Sequence, residues 1–294
     1  MNKQKIIQAG EIAQQIKKYA REIIKKDLPL LEIAEKIENK IFELGGKIAF
    51  PANLSMNEIA AHYTPSHDDT KKAHGLLKVD IGVHVDGWIA DTAFSIDLEN
   101  SEQNKKIIDA SKSALNEVER IINSKSKISE IGRTIEKTIN SKGFNPIINL
   151  TGHLMEQYNL HAGVSVPNID NNSNKILGEQ LYAIEPFATN GTGKVKDGRP
   201  SGIYLLQNQK NTRSPIAREI LNYIVEEYST LPFCSRWLVK KFGTKALFAL
   251  NILEKERILH HFPQLIEISK GIVSQAENTF LIEKDKTIIT SKED

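Results

Sequence analysis

The 294-residue chain predicts an α+β fold of two related α-β halves around antiparallel strands, with a helical insertion in the second half. Three observations predict it. Residues 32–45 and 130–143 share one pattern, Glu-Ile followed by isoleucines at four-residue spacing and a closing glycine, at a constant offset of 98. Residues 78–95 read as a hairpin about Asp86-Gly87. Residues 203–263 interrupt the strand-like C-terminal part with apolar stripes of helical period.

Taken in order, residues 3–26 read as a first helix, followed by a second with Ile33, Ile37 and Ile41 on one stripe and a terminating Gly45. The strand-like run Lys47–Leu54 comes next. Residues 102–123 repeat the first helix, and Ile131, Ile135, Ile139 and Gly143 repeat the second, before the strand-like run Pro146–Thr151. Asn53-Leu54-Ser55 is echoed by Asn149-Leu150-Thr151, and His62 by His161. Such a duplication implies a pseudo-twofold axis and a site that draws side chains from both halves.

The hairpin carries the first candidates. Asp86-Gly87 favours a two-residue type I′ turn, which sets Val85 opposite Trp88 and Asp91 opposite Gly82. Alternation then puts Asp80, Gly82, His84, Ile89 and Asp91 on one face and Val79, Ile81, Val83, Val85, Trp88 and Ala90 on the other. Aspartate is depleted in strands unless a solvated edge or a site explains it. Diagonal neighbours lie about 7–8 Å apart, so both carboxylates reach one ion or a pair of ions, and Gly82 is expected to leave the space between them empty.

In the second half, Glu185 lies in the apolar run Leu-Tyr-Ala-Ile-Glu-Pro-Phe, where Pro186 stops the ladder. Near the C-terminus Glu277 and Glu283 have the same parity, and alternation leaves both as candidates. His153 and His161 stand eight residues apart among glycines that admit close backbone approach.

Composition narrows the partners. With 39 basic against 37 acidic residues, the net charge of +2 creates no global field toward nucleic acid or membrane. The single cysteine, Cys234, rules out an intrachain disulfide and a cysteine zinc site and fits a reducing cytoplasm. Polar residues interrupt every apolar run near the N-terminus, so no signal segment is expected there, and no stretch is long enough to span a bilayer.

Ala61-His62-Tyr63-Thr64-Pro65, Asp80-Ile81-Gly82, Asp91-Thr92-Ala93-Phe94, Gly152-His153, His161-Ala162-Gly163, Ala183-Ile184-Glu185 and Gln275-Ala276-Glu277-Asn278-Thr279 follow one another across nearly the whole chain. In this series the chain resembles the type 2 methionine aminopeptidases, which have the duplicated pita-bread fold. The resemblance implies metal ligands at Asp80, Asp91, His153, Glu185 and Glu277, and so selects Glu277 over Glu283. It implies two divalent ions, Co²⁺, Mn²⁺, Fe²⁺ or Zn²⁺, sharing a water acidified toward neutrality. By the same resemblance Glu185 also shuttles a proton, His62 and His161 hydrogen-bond the scissile carbonyl or the leaving amide, and Phe50, Pro51, Leu160 and the His161 ring wall the methionine slot.

The expected activity is hydrolytic removal of the initiator methionine from nascent proteins and peptides, with a small second residue favoured. Expected partners are nascent polypeptides and, transiently, the ribosome, with no membrane and no stable nucleic-acid partner; a cytoplasmic monomer is expected. Ala276 and Asn278 depart from the family's usual Phe and His, which is expected to alter packing behind Glu277. Residues 1–202 and 264–294 are expected to form the pita-bread domain, and 203–263 a winged-helix-like insertion that marks the type 2 branch. Within it Ser214-Pro215 starts a helix with a stripe of Ile216, Ile220, Tyr223 and Ile224, and Arg236, Lys240, Lys241 and Lys245 read as a solvated basic face. Two other readings share this fold: an aminopeptidase or dipeptidase acting on Xaa-Pro bonds, and a catalytically silent binding protein.

Overall fold

The computed structural model describes residues 1–293. Its first half runs α1 (Lys3–Ile23), α2 (Leu30–Glu43), β1 (Lys47–Met56), β2 (Ile59–Ala61), β3 (Leu76–Val85) and β4 (Trp88–Asp97). The Asn2 side chain caps α1 by accepting from the Lys5 N–H. Ile33, Ile37 and Ile41 of α2 are buried, and Gly45 ends that helix with φ +82°, a conformation that costs glycine little. α1 packs on β3 and β4 and α2 on β1, so Ile16, Leu30, Leu54, Val79, Ile81, Val83 and Phe94 form one core. In the hairpin Val85 pairs with Trp88 and Gly82 with Asp91, and Asp86 and Gly87 both have positive φ, as a type I′ turn requires.

The second half runs α3 (Glu102–Ile121), α4 (Ile128–Ser141), β5 (Asn145–Pro146), β6 (Thr151–Met155), β7 (Ser165–Pro167), β8 (Leu181–Ile184), β9 (Phe187–Thr189) and β10 (Val195–Leu206). α4 repeats the 14-residue length of α2, and Gly143 terminates it with φ +79°. The expected strand Pro146–Thr151 is instead split. β5 pairs with β9, whereas β6 pairs with β7 and β8 in a different sheet, and between them the Ile147 and Ile148 N–H groups donate to Phe187 O and Gly193 O. The chain changes sheets over those residues, so one continuous ladder cannot form.

The remainder comprises α5 (Pro215–Tyr228), β11 (Phe233–Cys234), α6 (Ser235–Phe242), α7 (Lys245–Lys255), β12 (Leu259–Glu267), β13 (Val273–Gln275), β14 (Asn278–Ile282) and β15 (Thr287–Ile289). α5, α6 and α7 share a core of their own, with Ile220, Ile224, Phe233, Leu238, Leu250 and Leu253 packed beside Tyr204 and Leu259. The basic face is only partly as expected. Arg236 is 3% exposed and engaged with Glu38, whereas the side chains of Lys240 and Lys245 are mostly in solvent. Among the described residues no helix is long and apolar enough to cross a membrane.

The two halves meet along β4 and residues 275–279. Ala93 and Glu277 exchange backbone hydrogen bonds. Side-chain hydroxyls continue the seam: Thr92 Oγ1 donates to Glu277 O, Ser95 Oγ to Gln275 O, and Thr279 Oγ1 accepts from the Asp91 N–H. This contact brings an acid of the first half beside an acid of the second.

Candidate metal centre

Asp80 and Asp91 arrive on adjacent antiparallel strands, His153 on β6, Glu185 just after β8, and Glu277 just before β14. All five line one cavity of about 410 Å³. A ligand atom from each of Asp91, His153 and Glu277 lies within 4.8 Å of the others. His153 Nε2 is 3.4 Å from Asp91 Oδ2 and 3.9 Å from Glu185 Oε1. The Gln275 amide donates toward Asp80 Oδ2 (3.4 Å), Glu185 Oε2 (3.2 Å) and Glu277 Oε2 (3.4 Å), tying together the carboxylates on which it converges.

Four buried acids at this spacing resist ionisation. Burial first, and then the charge of Asp91, push Asp80, Glu185 and Glu277 well above the ordinary carboxylate range. Burial moves Asp91 up to about 7, and moves His153 down to about 4. Among the described residues no lysine or arginine forms an ion pair with any of the four acids. Asp80 Oδ1 and Asp91 Oδ1 are buried with no hydrogen-bond partner, so the cluster presents acceptor oxygens that the protein itself does not satisfy. Oxygen donors with one imidazole and no thiolate suit Mn²⁺, Fe²⁺, Co²⁺ or Zn²⁺.

The surrounding wall matches the expectations in part. Phe50, His62, Leu160 and His161 line the cavity; Pro51 is buried and does not. Pro51 lies in the bulged stretch of β1 between Phe50 and Asn53, where the extra residue breaks the alternation that would assign it a face. The space over Gly82 is filled, not empty: the Phe50 ring lies where a Cβ at Gly82 would stand. Glycine at this position admits the aromatic wall rather than an ion.

His62, with φ +62°, keeps Nδ1 3.2 Å from Pro263 O. A carbonyl only accepts, so Nδ1 carries the proton, and burial holds the ring's pKa down at about 4. The neutral ring therefore presents Nε2 as an acceptor, which suits an amide N–H better than a carbonyl oxygen. The His161 ring stands edge-on to His153, with centroids 4.5 Å apart.

Several residues in or behind the cavity wall were not anticipated. Gln275 precedes Glu277 by two, so strand parity alone would have aimed both side chains at the same place. Asn53, opposite Asp80 on β1, was visible only as part of the Asn-Leu-Ser echo. Ile203 on β10, Phe262 and Leu265 on β12, and Pro232 just before β11 also line the cavity, contacts too distant in sequence for local pattern to reveal.

The profile of Metallopeptidase family M24 matches residues 4–229. A methionine aminopeptidase of Pyrococcus abyssi is 45% identical over 297 residues, covering 99% of this chain and 100% of that protein. The solved structure of a thermophilic Arx1 superposes with a TM-score of 0.86 at 15% identity, covering 98% of this chain and 90% of that one. A methionine aminopeptidase structure from Thermotoga maritima gives 0.71 at 18% identity, covering 100% and 98%. The two structural likenesses speak for the pita-bread fold alone.

Proposed function

The chain belongs to metallopeptidase family M24, and we propose that its five-residue centre removes the N-terminal methionine of nascent proteins and peptides by metal-dependent hydrolysis. One observation carries the chemistry: Asp80, Asp91, His153, Glu185 and Glu277, drawn from both halves, face one cavity, and two of their oxygens are left without protein partners. The 45% identical relative's name supplies the substrate. Two divalent ions held by these residues would neutralise four negative charges and acidify a water toward neutrality, with Co²⁺, Mn²⁺, Fe²⁺ and Zn²⁺ all compatible.

The remaining work falls to the chain's own groups. Glu185, ionised when cations offset the charge of the cluster and given a raised proton affinity by its burial, would take a proton from the attacking water as a carboxylate and pass it to the departing amine. His62 Nε2 accepts from the substrate's amide N–H, fixing the scissile bond relative to the acids. His161 is placed at the cavity to donate to the carbonyl oxygen as charge grows there. Phe50 and Leu160 form an apolar slot for an unbranched side chain.

The finer assignment is to the type 2 branch, supported by the separate core of α5–α7 within residues 203–263. Residues 1–202 and 264–294 then form the catalytic domain, which works as a cytoplasmic monomer with transient access to ribosome-borne chains. A narrow neighbouring subsite favours a small second residue.

Protein stripped of metal and refilled in turn with Mn²⁺, Fe²⁺, Co²⁺ or Zn²⁺ should cleave Met-Ala-Ser only when refilled, and should leave Xaa-Pro peptides and Met-Asn-Ser largely intact. Hydrolysis that survives rigorous chelation would refute the metal-dependent reading. His62→Ala and His161→Ala should each lower kcat by roughly 10²-fold while metal content per chain stays at the wild-type value, since neither side chain belongs to the ligand set. Elemental analysis beside steady-state kinetics separates the two quantities.

A further inference from the structure

The strand that carries Phe50 lacks a ladder partner at Ala52. β1 slips register against β3 between Ile48 and Phe50 and again between Phe50 and Asn53, which sets Phe50 opposite Gly82 and Asn53 opposite Asp80. A buried backbone group excluded from a ladder is costly unless something else pairs it. Ala52 is 2% exposed and is paired outside the sheet. Its N–H donates to Glu38 Oε1 (3.2 Å), and its carbonyl accepts from Thr64 Oγ1 (2.9 Å).

Glu38, on α2, is held in turn from the insertion. Arg236 Nη1 and Nη2 donate to Glu38 Oε2 and Oε1 at 2.7 Å each, a bidentate pair, and Trp237 Nε1 donates to Oε2 at 2.9 Å. Each carboxylate oxygen of Glu38 thus accepts two hydrogen bonds. Arg236 also donates through Nε to Pro65 O (3.0 Å) and reaches Thr64 Oγ1 at 3.4 Å. The Thr64-Pro65 segment is continuous with His62. Arg236 follows β11, which pairs with Ile203 and Tyr204, and the preceding Pro232 and paired Ile203 both line the cavity.

We propose that the Glu38–Arg236 ion pair is a positioning device for the reaction assigned above, and the proposal rests on that assignment. The pair lines no part of the catalytic cavity, yet it ties together the segments that carry Phe50 and Asn53, His62, and Pro232 and Ile203, all of which line it. It sets the width of the side-chain slot and hence the preference among first residues. A buried ion pair is weak as a source of stability, because apolar residues of like volume often serve as well. Registering four separately encoded segments around one slot is a task that directional, charge-assisted bonds perform and apolar packing does not.

The test uses the full chain carrying Glu38→Gln or Arg236→Lys, with Thr64→Val as a milder variant that spares the pair and cuts the strut to Ala52 O. Two quantities are read: kcat/KM for Met-Ala-Ser and Leu-Ala-Ser, and backbone deuterium exchange over residues 49–54 in metal-free protein. In both ion-pair variants the Met-over-Leu preference should narrow by roughly tenfold, with a smaller change in Thr64→Val. Exchange at Ala52 should quicken while the β3–β4 hairpin exchanges as in wild type. A purely structural loss lowers the active fraction, scales both substrates alike and leaves their ratio unmoved. That outcome, or unchanged exchange at Ala52, overturns the proposal. Wild-type protein that cleaves neither peptide would instead overturn the assigned activity, and the exchange comparison would still decide whether the pair holds the bulge.

Discussion

Asp91→Asn is expected to lower Met-Ala-Ser hydrolysis by roughly a thousandfold or more, because a bound ion contributes several kcal/mol to transition-state stabilisation and each 1.36 kcal/mol is a factor of ten. The same change should leave the metal-free fold as stable as wild type, or more so. Asparagine is isosteric, and the backbone groups of Asp91 that tie the halves together through Thr279 Oγ1 remain. The substitution also removes one acid from a buried cluster in which Asp91 raises the pKa of Asp80, Glu185 and Glu277. Function and metal-free stability should therefore move in opposite directions, as expected where acids are retained for chemistry at the expense of the fold. Thermal melts in chelator, metal content and steady-state kinetics on the same preparation check this. Activity within about tenfold of wild type would remove Asp91 from the ligand set.

Much of the architecture was legible in the chain because the determinants are local. The type I′ turn at Asp86-Gly87 set the register of ten pairs, and the isoleucine stripes with Gly45 and Gly143 marked two helices that recur 98 residues apart. Ser214-Pro215 likewise began α5, with the Ser214 hydroxyl accepting from the Ala217 N–H. What escaped depends on contacts between distant segments. The switch of sheets between Pro146 and Thr151 follows from bonds to Phe187 and Gly193, and the filling of the space over Gly82 follows from a bulge in β1. Arg236 could not be told from Lys240 by composition or spacing, because what distinguishes it is a carboxylate 198 residues away. Within the centre, strand parity could not decide between Glu277 and Glu283. The structure puts Glu277 in the cavity, and Glu283 outside it with an ion pair to Lys3.

Metal-free protein is expected to lose stability as the pH rises above about 6.5, and a divalent ion is expected to restore it. Burial pushes Asp91 up to about 7 and Asp80, Glu185 and Glu277 well above the carboxylate range, whereas the unfolded chain titrates these groups near pH 4. The folded state thus retains protons that the unfolded state has released, and stability falls as pH climbs through the folded-state values. His62 and His153 act the other way. Burial lowers both to about 4, so between there and about 6.5 the unfolded chain binds more protons and stability rises with pH. The two trends oppose each other below 6.5; above it these histidines are neutral in both states, and the acids, at about 1.4 kcal/mol per pH unit for each proton retained, outnumber the two buried lysines that act against them, Lys78 and Lys17, which burial lowers to about 7 and about 8. Urea unfolding at pH 6.5 and 8.5, in chelator and with Mn²⁺, resolves the difference. Stability in chelator that is flat or rising over that interval would mean that too few of the acids are held protonated to outweigh Lys78 and Lys17. Because cations and protons compete for the same oxygens, metal uptake should also release protons, in numbers that shrink as the pH is raised.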